Sequence, residues 1–245
     1  MSLPLVFLHG WGLHGGIWAE TAAALAPRDA RTPDLPGYGT VPSCTPYDAP
    51  HLAEAVAADL PTDAVVIGWS MGGMAALALA ARYPIKALVL VGSSPAFVER
   101  PDWPHGMAPD VLAGFADSLA RDYRATLLRF LSLQARGGDA AREVIARLRQ
   151  TVIDRGEPRP DTLAAGLELL RSVDLRAEAG RVACPTLVVH GGRDTLCPPA
   201  AGEWLASHIP DARLALQSQA AHAPFLSHPA WFTDQINAFL DEIRA

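Results

Sequence analysis

Three side chains far apart in the chain have the types and order of a nucleophile, an orienting acid and a base: Ser70, Asp194 and His222. Ser70 is the centre of Gly68-Trp69-Ser70-Met71-Gly72, a G-x-S-x-G pentapeptide whose meaning depends on its flanks. Val65-Val66-Ile67 is β-branched and reads as a buried strand, while Met71 to Ala81 is rich in Ala, Leu and Met and reads as a buried helix. A sharp strand-to-helix turn strains the backbone at the serine and requires small residues two places to either side, which Gly68 and Gly72 supply. Such a turn lifts the hydroxyl above the carboxyl edge of a sheet and aims the helix amino terminus at whatever reacts there.

A serine hydroxyl alone is a weak nucleophile, so it needs a base, and the base needs an acid to orient it. The stretch "PTLVVHGGRDTLCPP" is a strand ending in a Gly-Gly turn that presents Asp194, and "SQAAHAPFLSHP" presents His222 ahead of a helix. Ser, then Asp, then His is the chain order this kind of sheet uses. His190 ends a strand before the acid and reads as structural, whereas His228 stands before Pro229 and reads as a helix-entry residue. Asp174 and Asp211 lie in segments with no strand-end turn.

The charge that develops on a carbonyl oxygen during acyl transfer needs donors, each typically contributing about 3 kcal/mol. One is the backbone N–H of Met71. The second comes from the glycine-rich loop "LHGWGLHGG" after the first strand and is assigned to the Trp11 N–H. His9 precedes the nucleophile and is read as bracing that loop. The indoles of Trp11 and Trp69 either wall the pocket or pack in the core. Cys197 follows Asp194 closely but has no base of its own.

The elements that must hold these groups are legible as alternating patterns. Strand-like runs fall at Leu5 to Leu8, Thr32 to Leu35, Ala64 to Trp69, Ala87 to Val91, Thr186 to His190 and Arg213 to Leu216. Helical patterns follow most of them, at Ala19 to Leu25, Leu52 to Leu60 and Met71 to Arg82, and a last helix falls near Trp231 to Ile243. Strands alternating with helices predict an α/β fold with a mostly parallel, doubly wound sheet. From about Pro109 to Arg176 only helical spacing appears, with Asp110 and Asp139 as candidate caps and Gly137-Gly138 as a break. The expected organisation is a core of residues 1–95 and 183–245 with an all-helical cap inserted at 96–182.

Bulk properties exclude several classes. At 245 residues and 50% hydrophobic content, one large domain can form a core without disulfides or metal, and no apolar run is long enough to span a bilayer. The amino terminus runs straight into "LPLVFLHG" with no basic, cleavable leader, so a cytoplasmic protein is expected. Cys44, Cys184 and Cys197 suit neither a disulfide framework nor a zinc site and are expected to be reduced thiols; no metal and no cofactor is implied. A net charge of -6 disfavours nucleic acid as a partner. Charge is uneven, however: residues 121 to 149 hold seven Arg against Asp122, Asp139 and Glu143, a stretch that reads either as a solvated helix face or as a surface for an acidic partner.

These residues resemble the α/β-hydrolase superfamily. Further stretches, "FLHGWGLHGGIW", "DLPGYG", "GWSMGG", "SSPAFVERPDWPHGMAPDVLAGF", "RFLSLQ", "GLELLRSVDLR" and "AAHAPFLSHPAWF", together resemble the pimeloyl-[acyl-carrier protein] methyl ester esterases of biotin synthesis, from Leu5 almost to the carboxyl terminus. The resemblance implies a carboxylesterase that removes a methyl group from the distal carboxylate of a pimeloyl chain still attached to its carrier. It implies a triad on Ser70, Asp194 and His222 and substrate contacts on Trp11, Ser70, Met71, Phe130, Leu131, Ser132, Leu133, Gln134 and His222. It also implies carrier docking on the basic cap stretch, with Arg129 and Arg142 in family-like positions and Arg124, Arg147 and Arg149 nearby. Only about four residues precede the first core strand, so the antiparallel edge strands usual in the superfamily are expected to be absent or vestigial. The expected partner is an acidic acyl carrier protein, with no nucleic acid and no membrane, and the chain is expected to be a monomer. The same triad would equally serve a general short-chain carboxylesterase, lactonase or thioesterase. A receptor built on this fold would not need a complete triad.

Overall fold

The computed structural model describes residues 3–156 and 158–244. The first half alternates: β1 (Leu5–Leu8), a 3-10 turn (Gly15–Trp18), α1 (Ala19–Ala24), β2 (Ala30–Arg31), α2 (Ala49–Ala57), β3 (Val65–Trp69), α3 (Met71–Ala80) and β4 (Ala87–Val91). Five consecutive helices follow: α4 (Pro109–Arg121), α5 (Tyr123–Leu133), α6 (Ala141–Arg155), α7 (Pro160–Ser172) and α8 (Arg176–Ala179). The alternation then resumes with β5 (Thr186–Gly191), α9 (Pro199–His208), β6 (Ala212–Gln217), α10 (Pro224–Ser227) and α11 (Pro229–Glu242).

The six strands form one sheet in the order β2-β1-β3-β4-β5-β6, and every pairing is parallel. Right-handed crossovers make the chain wind one way from β1 to β2 and the other way from β3 onward, so helices cover both faces. In agreement, α2 packs on α3 and α1 packs on α11. The winding reverses between β1 and β3, and in open sheets the crevice outside the strand carboxyl ends at such a reversal is where ligands bind. The loop after β1 and the turn after β3 both open there. No antiparallel strand joins this sheet among the described residues.

Two expectations are corrected. The second strand is Ala30–Arg31 rather than Thr32 to Leu35: Leu5 and Val6 pair with Ala30 and Arg31, and Pro33 soon after has no N–H to extend the ladder. Asp110 and Asp139 are not caps. Helix α4 starts at Pro109, whose fixed φ suits a first helical position, and α6 starts after Ala140, whereas Asp122 does cap α5 by accepting from the Ala125 N–H at 3.0 Å. Helix α2 begins at Ala49 because Asp48 accepts from the His51 N–H at 3.0 Å.

The core is centred on β3, β4 and β5, which are buried along their whole length, and on α3, all of whose residues are buried. The inserted helices are amphipathic. Leu112, Phe115 and Leu119 of α4, Leu127, Phe130 and Leu131 of α5, and Leu163, Leu167 and Leu170 of α7 face inward. No helix among the described residues is long and apolar enough to cross a membrane.

Candidate active site

Ser70 joins β3 to α3 with φ 56 and ψ -120, one of two non-glycine residues with positive φ among the described residues. This strain is held from several sides. The Ser70 N–H donates to the Val91 carbonyl at the end of β4 (3.0 Å), and the Ser70 carbonyl accepts from the Gly73 and Met74 N–H groups and from the Ser93 hydroxyl (3.1 Å). The flanking glycines are required by contact. A Cβ on Gly68 would lie 2.7 Å from the Gly73 Cα, and one on Gly72 would press into the backbone of Leu8 and His9.

The other two groups arrive from the ends of β5 and β6. Asp194 lies just beyond β5, and one of its oxygens accepts from the Leu196 (2.9 Å) and Cys197 (3.0 Å) N–H groups, which fixes the carboxylate plane. Its other oxygen accepts from His222 Nδ1 at 2.7 Å. That bond leaves Nε2 as the basic nitrogen, and Nε2 is buried without a hydrogen-bond partner. His222 is tied to the serine turn because its carbonyl accepts from the Trp69 indole at 2.9 Å. Gly92, just past β4, provides the space: a Cβ there would stand 2.7 Å from the His222 carbonyl and 3.3 Å from Nδ1. Asp194 is thus paired with His222, whose backbone is tied to the residue preceding Ser70, and Ser70, Asp194 and His222 are nearly sealed from water, at 4%, 4% and 1% exposure.

The two candidate oxyanion donors also meet the requirement of availability. Neither the Met71 nor the Trp11 backbone N–H is bonded to another described residue. Helix α7 lies over them: the Trp11 indole donates to the Leu163 carbonyl at 2.9 Å, and a Cβ on Gly166 would sit 2.9 Å from that indole nitrogen and 3.5 Å from the Met71 sulfur. Trp11 and Trp69 are both fully packed side chains as well as neighbours of the site. His9 braces the loop as expected, donating from Nδ1 to the Gly10 carbonyl and accepting from the Leu35 N–H at 2.9 Å. Burial pushes its pKa down to about 4, so it is neutral. His190 is buried, with its pKa also lowered by burial, and donates to the Cys197 carbonyl at 2.8 Å. Burial raises the Cys197 thiol well above its usual range, which keeps it protonated and unreactive.

The α5 residues divide. The Phe130 ring meets Trp11 edge-on at 4.6 Å, Leu131 is buried, Leu133 is half-buried, and Ser132 turns its hydroxyl back to the Leu128 carbonyl. Gln134 is buried with neither side-chain amide atom satisfied, and its carbonyl accepts from the His222 N–H at 3.0 Å. An unsatisfied buried amide beside the candidate base is costly for the free protein and suits a polar group of a ligand. Arg124 and Arg129 lie exposed on α5, and Arg142 and Arg149 exposed on α6, whereas Arg147 is held by Glu20 at 2.8 Å. The Arg129 guanidinium caps the Phe115 ring, which meets Phe130 edge-on, so a line of contacting groups runs from the surface to Trp11.

Several contributors are not singled out as site residues by the sequence: Gly92 and Ser93 behind the serine turn, Tyr38, whose hydroxyl accepts from the Gly12 N–H at 3.1 Å, and Thr162, which donates to the Gly37 carbonyl; of these, Ser93 and Tyr38 lie inside the quoted stretches that carry the resemblance. A larger cleft of about 520 Å³ lies within the insertion, lined by Leu112, Ala116, Leu119, Tyr123, Ala164 and Leu167 among others. Its lining brings no nucleophile against a base. Among the described residues no cluster of His, Cys, Asp or Glu could hold a metal ion.

A parallel sheet carrying a serine on a strained strand-to-helix turn, with an acid and a histidine on later strand ends, defines a hydrolase of the α/β type. The chain belongs to the alpha/beta hydrolase family, whose sequence profile matches residues 5–235. It is 47% identical, over 94% of its length and 95% of the relative's, to the pimeloyl-[acyl-carrier protein] methyl ester esterase of Aromatoleum aromaticum. It is also 43% identical, over 96% of its length and 94% of the relative's, to the protein of the same name from Nitrosomonas europaea. An esterase from Exiguobacterium antarcticum shares the fold, with a TM-score of 0.87 at 24% identity over 98% of this chain and 92% of the other.

Proposed function

We propose that the chain is a cytoplasmic serine esterase that hydrolyses the methyl ester of a pimeloyl group carried on an acyl carrier protein, releasing methanol in biotin synthesis. The observation that carries the chemistry is the buried Asp194–His222 pair with its free Nε2, tied through Trp69 to the turn that holds Ser70. The substrate is supported by the near full-length relatives that bear this name. In this reading the cap is residues 96–182.

His222 Nε2 accepts the Ser70 proton as Oγ attacks the ester carbonyl carbon. The resulting oxyanion is held by the Met71 and Trp11 amides. His222 then gives its proton to the departing methoxy oxygen, methanol leaves, and an acyl-serine remains. A water molecule, deprotonated by His222, attacks the acyl carbon; the proton returns to Ser70 Oγ and the free carboxylate departs on its carrier. Trp11, Phe130, Leu131 and Leu133 supply apolar contact for the chain, and Ser132 and Gln134 lie alongside as polar contacts. The exposed Arg124, Arg129, Arg142 and Arg149 receive the acidic carrier, with Arg147 at the edge of that surface. Reaction with a fluorophosphonate, read by intact mass and peptide mapping, tests the nucleophile. One adduct on Ser70, absent in Ser70→Ala, is expected; an unreactive Ser70 would favour a ligand receptor.

A further inference from the structure

Three segments converge on one point beside the candidate acid and base: the turn after β5 that leads to Asp194, the loop after β6 that leads to His222, and the chain that leaves α5 at Gln134. Arg193, the residue before Asp194, touches all three. Its backbone N–H donates to the Ala220 carbonyl at 2.9 Å, one guanidinium nitrogen donates to the Gly137 carbonyl at 3.3 Å, and another donates to the Gln219 side-chain oxygen at 2.6 Å. Around it the Asp139 N–H donates to the Gln219 carbonyl and the His222 N–H to the Gln134 carbonyl. The segments lie close together: Gly137 takes φ +88, which disfavours a side chain, with the Arg193 carbonyl at contact distance, 3.4 Å, from where its Cβ would be, and a Cβ on Gly138 would lie a tight 3.2 Å from the Ala221 N.

We propose that Arg193 is a positioning residue that couples the seating of the helical insertion to the alignment of Asp194 with His222. This rests on reading those two residues as acid and base. The guanidinium is planar and presents several donors in a fixed fork, so a single side chain can hold a carbonyl of the insertion and an amide of the His222 loop at a set separation. Because Arg193 is exposed, these bonds add little to global stability, and their consequence lies in placement, to which acyl transfer is acutely sensitive. The insertion therefore takes part in catalysis without contributing a reacting atom.

The test is steady-state kinetics on a chromogenic acetyl ester, too short to depend on contacts with the inserted helices, using wild type, Arg193→Met, Arg193→Lys, Gln219→Met and Asp194→Asn, with melting curves for each. Arg193→Met is expected to lower kcat roughly tenfold to a hundredfold with KM nearly unchanged, and Arg193→Lys to recover part of the loss. Gln219→Met should lower kcat less, with an effect that does not add to that of Arg193→Met. Should Arg193→Met fail to fold, Gln219→Met decides on the same criterion, since it leaves Arg193 and its bond to Gly137 in place. Wild-type kcat in the deciding variant, whatever its melting temperature, or a loss confined to KM, would overturn the inference. With Asp194→Asn inactive in the same assay, only the role of Arg193 would fall; with Asp194→Asn active, the assignment of the acid would fall with it.

Discussion

In the sheet, β3, β4 and β5 are buried from end to end and α3 has no exposed residue, whereas α4, α5 and α7 each bury one stripe and turn the rest to solvent. The same residue type is therefore used differently in the two regions. Gly68 and Gly72 in the serine turn have no room for a methyl group, while Gly114 in α4 has nothing within 4 Å of where its Cβ would be. The sheet holds backbone to backbone along its strands; the insertion holds mainly by one buried face of each helix and leaves the opposite face exposed. They meet at a few points, chiefly Trp11 against Leu163 and Phe130, Gln134 against His222, and Arg193 against Gly137.

The largest effect that could break this division is in the sheet. Asp194→Asn should lower kcat by about 10⁴-fold with the melting temperature almost unchanged, because it upsets the His222 tautomer and not the packing. A near-normal rate would remove Asp194 from the chemistry. Next, Gly72→Ala should destabilise the protein by about 3 kcal/mol in urea unfolding, since the strand backbone at Leu8 and His9 cannot yield. Full stability would show that the turn has slack that these contacts deny.

Acid should act on the sheet side through its buried histidines. His9 drops from 6.5 to about 4 on folding, so between those values the unfolded chain binds the extra proton. Its contribution is complete above pH 6.5 and is lost as the pH falls through that window, the loss reaching about 2 kcal/mol at pH 5. His190, lowered in the same direction, steepens the fall. His9→Gln should flatten the dependence of stability on pH; an unchanged slope would contradict neutral burial. The smallest effect sharpens the contrast best. Gly114→Ala, the same change as Gly72→Ala, should raise stability by about 0.5–1 kcal/mol, because an open helical site gains only from a stiffer unfolded chain.

This contrast also explains what could be read from the chain alone. The sheet repeats one local unit, so apolar runs, glycine pairs and chain order single out Ser70, Asp194 and His222 as the candidate residues. The first loop could be assigned to Trp11 on the same grounds. The short second strand escaped because Ala30–Arg31 has no apolar run and is defined only by pairing with Leu5 and Val6. The aspartates near the helix starts of the insertion mislead because α4 begins at Pro109 and α6 at Ala141, with neither Asp110 nor Asp139 as the cap. Arg193 carried no pattern either: its role depends on Gly137 and Gln219, which are brought to it only by the tertiary fold.

The most direct test of the proposed function compares initial hydrolysis rates of a pimeloyl methyl ester joined to acyl carrier protein with those of the same ester free in solution, for wild type and for Arg129→Glu/Arg142→Glu. A marked preference for the carrier-bound ester is predicted, falling about tenfold to a hundredfold on charge reversal and weakening with salt, while the free ester is hydrolysed equally by both proteins. Equal rates on the two substrates, indifferent to charge reversal, would contradict carrier recognition and leave a general carboxylesterase.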